Sequence, residues 1–401
     1  MELLDNPVRA YAWGSRTVIA DLLGQEVPSP HPQAEMWLGA HPADPSRLVH
    51  TDGGQVSLLE ALGADPKQML GPERSERWHA TLPFLLKVLA AREPLSLQAH
   101  PNPAQAREGY ERENAEGIPL DAPHRNYKDP FAKPEMICAL TPIDALVGFR
   151  PPAETLPVLE GLGVAALESL VAQLREQPNG EGLRAVFTML MTAPAERQRS
   201  VVTEVVDACR RLLEDPGTAD AGLLEAARLV NRLAEKYPGD PGVIAALLLN
   251  RVRLNPGEAM YLPAGNLHAY IEGVGVELLA NSDNVLRGGL TSKHIDVPEL
   301  LRVLDITPEP VRILRPDSTT GRYDTPAREF RLSRITVSAG DELSLPVEGP
   351  QILLCTEGGV VASSEAGKVD LTRGRSAYVG AWEGTVTLTG TGVVFQAAPG
   401  L

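Results

Sequence analysis

The sequence predicts a mostly β protein with an inserted all-α domain and two β domains of barrel or jelly-roll type. Short apolar runs broken by proline and glycine fill residues 1–150 and resume in 251–310. Between them, residues 151–250 repeat apolar positions at spacings of three and four, as amphipathic helices do. From residue 311 to 401, Gly-rich turns recur roughly every eight to twelve residues, which indicates a C-terminal β domain. We therefore expect a catalytic β domain made of 1–150 and 251–310, interrupted by the helical domain.

The individual elements follow from local signals. Residues 17–24 and 57–63 read as short surface helices, and 82–89 and 135–140 as strands. A long polar connection follows Pro101, and it begins as a helix because Asn102 is a good N-cap and Pro103 suits a first helical turn. Four helices are predicted in the insertion, over 164–177, 182–190, 195–213 and 222–237.

Composition and charge exclude several classes of protein. The chain has 401 residues, with 43% hydrophobic and 22% charged residues, which is typical of a globular protein. A net charge of −15 argues against binding to nucleic acid, which needs a basic surface. The three cysteines lie far apart without a CxxC, so reduced thiols in the cytoplasm are expected. We expect neither a signal peptide nor a membrane span, since the first residues lack a basic region followed by an apolar one and no apolar run is long enough.

A short stretch bracketed by Pro94 and Pro101 carries the first candidate ligands. Polar and apolar side chains alternate within it, which predicts a strand with two different faces. Ser96, Gln98 and His100 share one face. Gln98 and His100 offer neutral ligating atoms two residues apart, so the stretch is either a metal-ligand pair or a solvated edge strand.

Three further stretches supply polar groups that suit a divalent metal. Pro134 restricts Lys133 to extended geometry, so Lys133 and Glu135 share a face. A Pro/Gly turn delivers His268 and Tyr270 to one face of the next strand. Residues 275–293 carry two carboxylates and two cations, namely Glu277, Asp283, Arg287 and Lys293. Two imidazoles, one carboxylate and one amide suit a metal of zinc type with an open position. These candidate ligands are Gln98, His100, Glu135 and His268.

The same stretches resemble the signatures of type I mannose-6-phosphate isomerases. They are Ser-Leu-Gln-Ala-His-Pro from Ser96, Lys-Pro-Glu-Met from Lys133, Pro-Ala-Gly-Asn-Leu-His-Ala-Tyr from Pro263 and Ser-Asp-Asn-Val-Leu-Arg-Gly-Gly-Leu-Thr-Ser-Lys from Ser282. The similarity runs in order from about residue 8 to about residue 300, and it is weaker in the helical and C-terminal regions. Gly288 and Ser292 depart from the family, where alanine and proline are usual.

The resemblance implies a zinc-dependent aldose–ketose isomerase with a cupin-type β architecture. Such an enzyme would interconvert mannose 6-phosphate and fructose 6-phosphate through a cis-enediol, with one Zn²⁺ per chain. Carried over by position, the zinc ligands would be Gln98, His100, Glu135 and His268. Arg287 falls on the family's active-site arginine. The polar pocket positions of the family correspond to Lys133, Glu277, Asp283 and Lys293 in this sequence.

Several roles stay open on the sequence alone. Glu277 or Lys133 could be the catalytic base. Glu277 could instead pair with Arg287 or Lys293, and Lys133 could be a solvated neighbour of Glu135. Arg287 could hold the phosphate or stabilise charge near O1 and O2 of the sugar. The candidate substrate-binding residues are Ser96, Asp283, Lys293, Tyr270 and Trp13. Two interpretations, the rim of the site or packing of the N-terminal fold, apply to Trp13, Glu35, Trp37 and His41, and packing is favoured. A surface position is expected for His124 and His294.

Two other functions compete with the isomerase. An Fe(II) oxygenase of cupin type would use two histidines and one carboxylate, and a fourth ligand from Gln98 argues against it. A sugar-phosphate sensor without activity would have a degraded pocket, whereas this chain keeps every polar position of the set. The expected partner is a small sugar phosphate, and we expect binding to neither nucleic acid nor a membrane. The protein is expected to be a monomer.

Overall fold

The computed structural model describes residues 1–50 and 53–400. Within these ranges the chain forms two antiparallel sheets and a helical region inserted between strands of the first sheet. The mixed architecture with a helical insertion confirms the coarse prediction. Neither sheet closes into a barrel among the described strands, so the closed-barrel form of the prediction is not observed.

The first sheet, which we call the site sheet, is built around one long strand. This strand, β12, pairs with four others, because its first half contacts β7 and β9 and its second half contacts β6 and β8. A register shift between Tyr270 and Glu272 separates the two halves. The strands of the site sheet are β2 (Val8–Arg9), β3 (Glu35–Leu38), β6 (Phe84–Ala91), β7 (Leu97–Ala99), β8 (Glu135–Ala139), β9 (Ile143–Phe149), β10 (Leu249–Leu254), β11 (Ala259–Leu262), β12 (His268–Ala280) and β13 (Leu286–Gly289).

The second sheet joins the two ends of the described chain. Strand β1 lies between β4 and β18, with Leu3 opposite Ala377. An apolar core that includes Phe84 and Phe395 fills the space between the two sheets. The strands of this second sheet are β1 (Glu2–Asp5), β4 (Arg47–Val49), β5 (Gln55–Ser57), β14 (Arg331–Val337), β15 (Glu342–Pro346), β16 (Gln351–Ser364), β17 (Gly367–Thr372), β18 (Ser376–Val379) and β19 (Thr385–Ala398).

The four helices predicted in the insertion are present with ends shifted by a few residues, and the structure adds a helix over Pro152–Gly161 that the sequence did not predict. Short helices occur where 17–24 and 57–63 predict them, although Ile19 and Leu58 on these helices are buried. The helices are α1 (Val18–Leu22), α2 (Leu58–Ala64), α3 (Pro66–Leu70), α4 (Pro72–Arg77), α5 (Pro103–Ala115), α6 (Pro152–Gly161), α7 (Glu168–Glu176), α8 (Gly180–Thr192), α9 (Ala195–Glu214), α10 (Ala221–Lys236), α11 (Gly242–Ala245) and α12 (Val297–Val303), with 3₁₀ turns at Ala165–Leu167 and Ala246–Leu248.

The helical region packs on the back of the strands that carry the candidate ligands. Leu97 and Ala99 of β7 belong to the same buried cluster as Phe187 and Val205 of the helices. Because side chains alternate along a strand, Gln98 faces the other side. This arrangement confirms the two-faced strand that the alternation between Pro94 and Pro101 predicts.

Helix α5 begins directly after that strand and is capped by a reciprocal pair. The side chain of Asn102 accepts from the Gln105 amide at 2.9 Å, and the Gln105 side chain accepts from the Asn102 amide at 2.9 Å. This capping box satisfies two helix-end donors that would otherwise lack partners. It confirms Asn102 as the N-cap.

Replacement of Asn102 with alanine is expected to lower the free energy of unfolding by about 1 kcal/mol, since one capping acceptor is lost. Urea unfolding followed by circular dichroism measures this change. Asn102→Asp keeps an acceptor and serves as the matched control, with a loss of less than about half that size. An equal loss in both variants would contradict the capping role.

None of the described helices is both long and apolar enough to cross a membrane.

Candidate metal centre

Three buried side chains from three separate strands or strand ends meet on the inner face of the site sheet. His100 follows β7, Glu135 begins β8 and His268 begins β12. His100 Nε2 lies 3.4 Å from Glu135 Oε1, and His268 Nε2 lies 3.4 Å from Glu135 Oε2. One potential ligand atom from each residue lies within 4.8 Å of the other two. Each residue is at most 4% exposed.

The hydrogen bonds of the two histidines leave their Nε2 atoms free for a cation. His100 Nδ1 lies 2.6 Å from the Asn284 carbonyl oxygen, and His268 Nδ1 lies 3.0 Å from that of Asn266. A carbonyl oxygen only accepts, so each Nδ1 carries the proton and each Nε2 carries a lone pair. His100 Nε2 is buried without a hydrogen-bond partner. Burial also lowers the pKa of His100, which favours the neutral imidazole that binds metals.

The charges around Glu135 complete a donor set that fits a divalent metal. Burial alone would raise the pKa of Glu135, but the positive charge of His100 when its ring is protonated, together with that of Lys133, outweighs burial and holds this pKa well below its usual value. Lys133 Nζ lies 3.2 Å from Glu135 Oε1. Two imidazole lone pairs and an ionised carboxylate thus converge in a buried site, where a cation would relieve their repulsion. Such nitrogen and oxygen donors are those of zinc sites.

Strand register places Gln98 beside this group. Its Cα is opposite that of His268 on one side and that of Arg287 on the other. Directly opposite residues of antiparallel strands have side chains on the same face. Gln98 therefore lies on the site face between His268 and Arg287, while half-buried Ser96 immediately precedes the strand. Gln98 as the fourth ligand stays a prediction.

A second buried cluster lies on the neighbouring strands and centres on Lys87, which sequence reasoning missed. Lys87 Nζ lies 3.6 Å from Glu35 Oε2 and 3.7 Å from Glu277 Oε2. The hydroxyl of Tyr270 donates to Glu277 Oε1 at 2.9 Å. The indole of Trp37 donates to Glu35 Oε2 at 2.7 Å, and its ring centroid lies 5.1 Å from Lys87 Nζ. Glu35 is thus ion-paired as well as packed.

Glu277 shares Lys87 with Glu35, and its pKa is raised as a result of this buried setting. Burial raises the pKa of Glu277 to about 7, because Lys87 offsets burial only in part and Glu135 and Glu35 add negative charge. Burial would lower the pKa of Lys87, but Glu35 and Glu277 outweigh it and raise that pKa, so Lys87 stays charged. A carboxylate that titrates near neutral pH is suited to accept and return protons.

The remaining predicted residues divide between the rim and the interior. Asp283 Oδ1 lies 3.2 Å from His41 Nε2, and this contact, together with the charge of His41, lowers the pKa of Asp283. Trp13 stacks on Tyr11 with 5.7 Å between ring centroids and packs against the apolar cluster that includes Tyr270. His124 and His294 are exposed, as predicted.

Arg287 and Lys293 form a cationic pair at the edge of the site. Among the described residues, neither side chain has an ion pair or hydrogen bond. Glu277, which could have paired with one of them, contacts Lys87 and Tyr270 instead. Burial lowers the pKa of both groups, and the charge of Arg287 lowers that of Lys293 further. Two nearby cations without a counterion form a place for an anion. Gly288, next to Arg287, packs closely on the core, because a Cβ at this position would lie only 2.9 Å from Leu267 Cδ1.

Asn284 joins the metal centre to the long connection after α5. Its backbone oxygen accepts from His100, while its side-chain oxygen accepts from the Lys128 amide at 2.6 Å. Its amide nitrogen donates to the carbonyl oxygens of Asp129 and Phe131, both at 2.8 Å. Asn284 has no exposed surface. The sequence gives a weak signal for this role, namely the position of Asn284 between Asp283 and Arg287 in one polar stretch.

Fold and site together define a metalloprotein with a buried His/Glu/His centre on an antiparallel sheet. Profiles of type I phosphomannose isomerases match three parts of the chain, namely the catalytic domain at residues 1–152, the helical insertion domain at 163–249 and the C-terminal region at 323–365. The mannose-6-phosphate isomerase of Salmonella typhimurium is 39% identical over 396 residues, which cover 98% of each chain. The chain belongs to the type I phosphomannose isomerase family.

More distant relatives and solved structures agree with this assignment. The mannose-6-phosphate isomerase of Rattus norvegicus is 35% identical over 94% of this chain and 92% of its own. A crystal structure of a phosphomannose isomerase mutant from Salmonella typhimurium superposes with a TM-score of 0.91 at 38% identity, and it covers both chains fully. A zinc-bound structure of mannose 6-phosphate isomerase gives a TM-score of 0.89 at 37% identity, over 100% of this chain and 99% of the other.

Proposed function

We propose that this protein interconverts mannose 6-phosphate and fructose 6-phosphate with one zinc ion per chain. The observation that carries the proposal is the buried His100, Glu135 and His268 group beside Glu277, whose pKa lies near neutrality. The activity named for the family members at 39% identity supports the same reaction. Zinc in a relative of TM-score 0.89 supports the choice of metal. His100, Glu135 and His268, together with Gln98, would hold it.

The reaction needs a base that moves a proton between C1 and C2 through a cis-enediol. When bound, zinc supplies a Lewis acid that polarises oxygens near it. Glu277 is the better candidate for the base, because it titrates near neutral pH. Tyr270 donates to one of its oxygens and Lys87 lies near the other, which keeps the carboxylate in place. Lys133 is engaged with Glu135 and would act on substrate only by leaving it.

The cationic pair is the natural binding place for the phosphate. Arg287 lies on the strand next to Gln98 and has no carboxylate partner among the described residues. Arg287 and Lys293 together can balance the charge of a phosphate monoester. Ser96, Asp283, Tyr270 and Trp13 stay predicted substrate contacts. The cupin-type arrangement, the monomeric state and the cytoplasmic location stay predictions as well.

Replacement of Lys293 with methionine is expected to raise KM for mannose 6-phosphate roughly tenfold with little change in kcat, since one charge-assisted contact to the phosphate is lost. Steady-state kinetics at two ionic strengths measures this effect. Lys368→Met, at an exposed lysine of β17, is the matched control and should leave KM unchanged. An unchanged KM in Lys293→Met would remove Lys293 from the phosphate site.

A coupled assay tests the function as a whole. Fructose 6-phosphate formation from mannose 6-phosphate is measured with and without a chelator, and zinc content is measured on the same sample. We expect activity that disappears with the metal and returns with added zinc. Activity that survives complete metal removal would disprove the metal proposal. A protein that binds the sugar phosphate without turnover would indicate the sensor, and oxygen consumption with iron would indicate the oxygenase.

A further inference from the structure

The turn that joins α10 to α11 contacts the segments next to β7 and β13, two of the strands that carry predicted site residues. It spans residues 237–242 and, in the sequence, is only a Pro/Gly break after a helix. The hydroxyl of Tyr237 donates to the Pro94 carbonyl oxygen at 2.8 Å, just before the segment that carries Gln98. Asp240 Oδ2 accepts from the Thr291 amide at 3.0 Å, just after β13. This turn of the helical region therefore holds the two neighbouring strands β7 and β13 at one end.

The chain after β13 makes a bend with an unfavourable backbone conformation. Leu290 has φ +54° and is fully buried, and Gly289 before it has φ +127°. A non-glycine residue in the left-handed region persists only where its surroundings hold it. Those surroundings are the turn: a Cβ on Gly242 would lie 2.6 Å from Leu290 N, and one on Gly289 would lie 2.6 Å from Gly242 Cα.

Asp240 is the polar link between the turn and this bend. Its Oδ1 accepts from the Gly242 amide at 2.7 Å, while its Oδ2 accepts from the Thr291 amide. Thr291 Oγ1 accepts in turn from the Lys293 amide at 3.0 Å. Both carboxylate oxygens thus bind N–H donors. An amide has one acceptor oxygen, so asparagine at this position would set an NH₂ group against one of those donors.

We propose that Asp240 is a positioning residue that holds the bend from Gly289 to Lys293 and thereby sets the place of Arg287 and Lys293 for an anion. The inference rests on the proposed function for the identity of that anion as the substrate phosphate. Arg287 lies two residues before Gly289, and Lys293 lies two residues after Thr291, so a displaced bend moves both cations. The helical insertion then takes part in substrate affinity, although it contributes none of the residues predicted to contact substrate.

The test compares Asp240→Asn with wild type as full-length, zinc-loaded protein. Hydrogen–deuterium exchange reports the bend through peptides that cover residues 288–293, and calorimetry measures Kd for inorganic phosphate. We expect exchange at the bend to accelerate roughly tenfold, since a charge-assisted hydrogen bond is lost. We expect Kd for phosphate, and KM for mannose 6-phosphate, to rise roughly fivefold or more while kcat changes less.

Asp220→Asn is the matched control, because Asp220 is also a carboxylate of the helical region that accepts from a backbone amide. It caps α10 by accepting from Leu223 at 2.8 Å and has no hydrogen bond to the bend. This variant should leave both the exchange of 288–293 and the Kd for phosphate unchanged. Equal changes in Asp220→Asn and Asp240→Asn would overturn the proposal, since they would indicate a general loss of stability.

Two further outcomes would contradict the positioning role of Asp240. Unchanged exchange at the bend would show that Asp240 does not hold it, and faster exchange with unchanged Kd for phosphate would show that the bend does not position the cations. Thr291→Val removes the acceptor for the Lys293 amide and keeps the hydrogen bond from the Thr291 amide to Asp240, so it tests the bend even if Asp240→Asn does not fold. It should raise Kd for phosphate, and an unchanged Kd would show that the bend does not position the cations. A wild-type protein that fails to isomerise mannose 6-phosphate refutes the proposed function, whereas the exchange and phosphate measurements still decide the role of Asp240.

Discussion

Glu135→Gln is expected to lose its zinc and to isomerise mannose 6-phosphate about two to four orders of magnitude more slowly than wild type. Glu135 is the residue that contacts both His100 and His268, and its carboxylate supplies the negative charge among the three clustered ligands. A Lewis acid contributes several kcal/mol to such a reaction, and each 1.4 kcal/mol is about a factor of ten in rate. Metal analysis of the purified variant, together with the coupled isomerase assay, measures both effects.

The control for this variant is Glu258→Gln. Glu258 is also a carboxylate of the site-sheet domain, but it pairs with Arg315 at 2.7 Å outside the metal centre. It should keep wild-type zinc content and activity. Full zinc occupancy in Glu135→Gln would count against Glu135 as a ligand, even if activity were lost.

The second large effect is expected for Lys87→Met, which leaves Glu35 and Glu277 buried without their shared cation. Removal of one partner from a buried ion pair typically costs about 3–5 kcal/mol in the free energy of unfolding. The isomerase rate should fall by about two to four orders of magnitude, because Glu277 loses the group that favours its ionised form. Urea unfolding and steady-state kinetics measure the two losses.

The matched control is Lys236→Met, which breaks a surface ion pair with Glu93. Its cost in the free energy of unfolding should be less than about 1 kcal/mol.

The cost of Lys87→Met should also depend on pH, with a sign that follows from Glu277. Its folded pKa of about 7 lies above the usual 4.5, so the folded metal-free protein binds more protons than the unfolded chain between these values. Stability contributed by Glu277 is therefore present at low pH and declines as pH rises to about 7. Without Lys87 this pKa rises further, and the decline continues to higher pH. Unfolding with a chelator at pH 5 and pH 8 should show the larger difference from wild type at pH 8.

Local sequence patterns predict those parts of the molecule that depend on neighbours along the chain. The helical periodicity of 151–250, the cap at Asn102 and the alternation around Gln98 each reflect contacts within a few residues, and each is present in the structure. His100, Glu135 and His268 also meet as the resemblance implies. Their convergence is a matter of strand pairing across more than a hundred residues, which periodicity alone could not supply.

Lys87 and Asp240 show why other site features escaped prediction. Lys87 stands alone in an eight-residue strand whose other members are apolar, and that isolation was the available signal, since a buried charge needs partners. Its partners Glu35 and Glu277 come from strands on either side of β6, so only the strand order identifies them. Asp240 resembles any turn aspartate until the helical region is packed against β13.

The position of β1 in the second sheet has a consequence for how the nascent chain matures. Leu3 pairs with Val49 of β4 on one side and with Ala377 of β18 on the other, so the ribosome must add some 374 further residues before this strand meets its second partner. At typical elongation rates of about 5–20 residues per second, that interval is roughly 20 to 75 seconds. During it β4, the first sheet and the helices can already pack, while the other edge of Glu2–Asp5 keeps its backbone groups unpaired. The second sheet is therefore completed last, and the edge of β1 that faces β18 is the one that stays open longest.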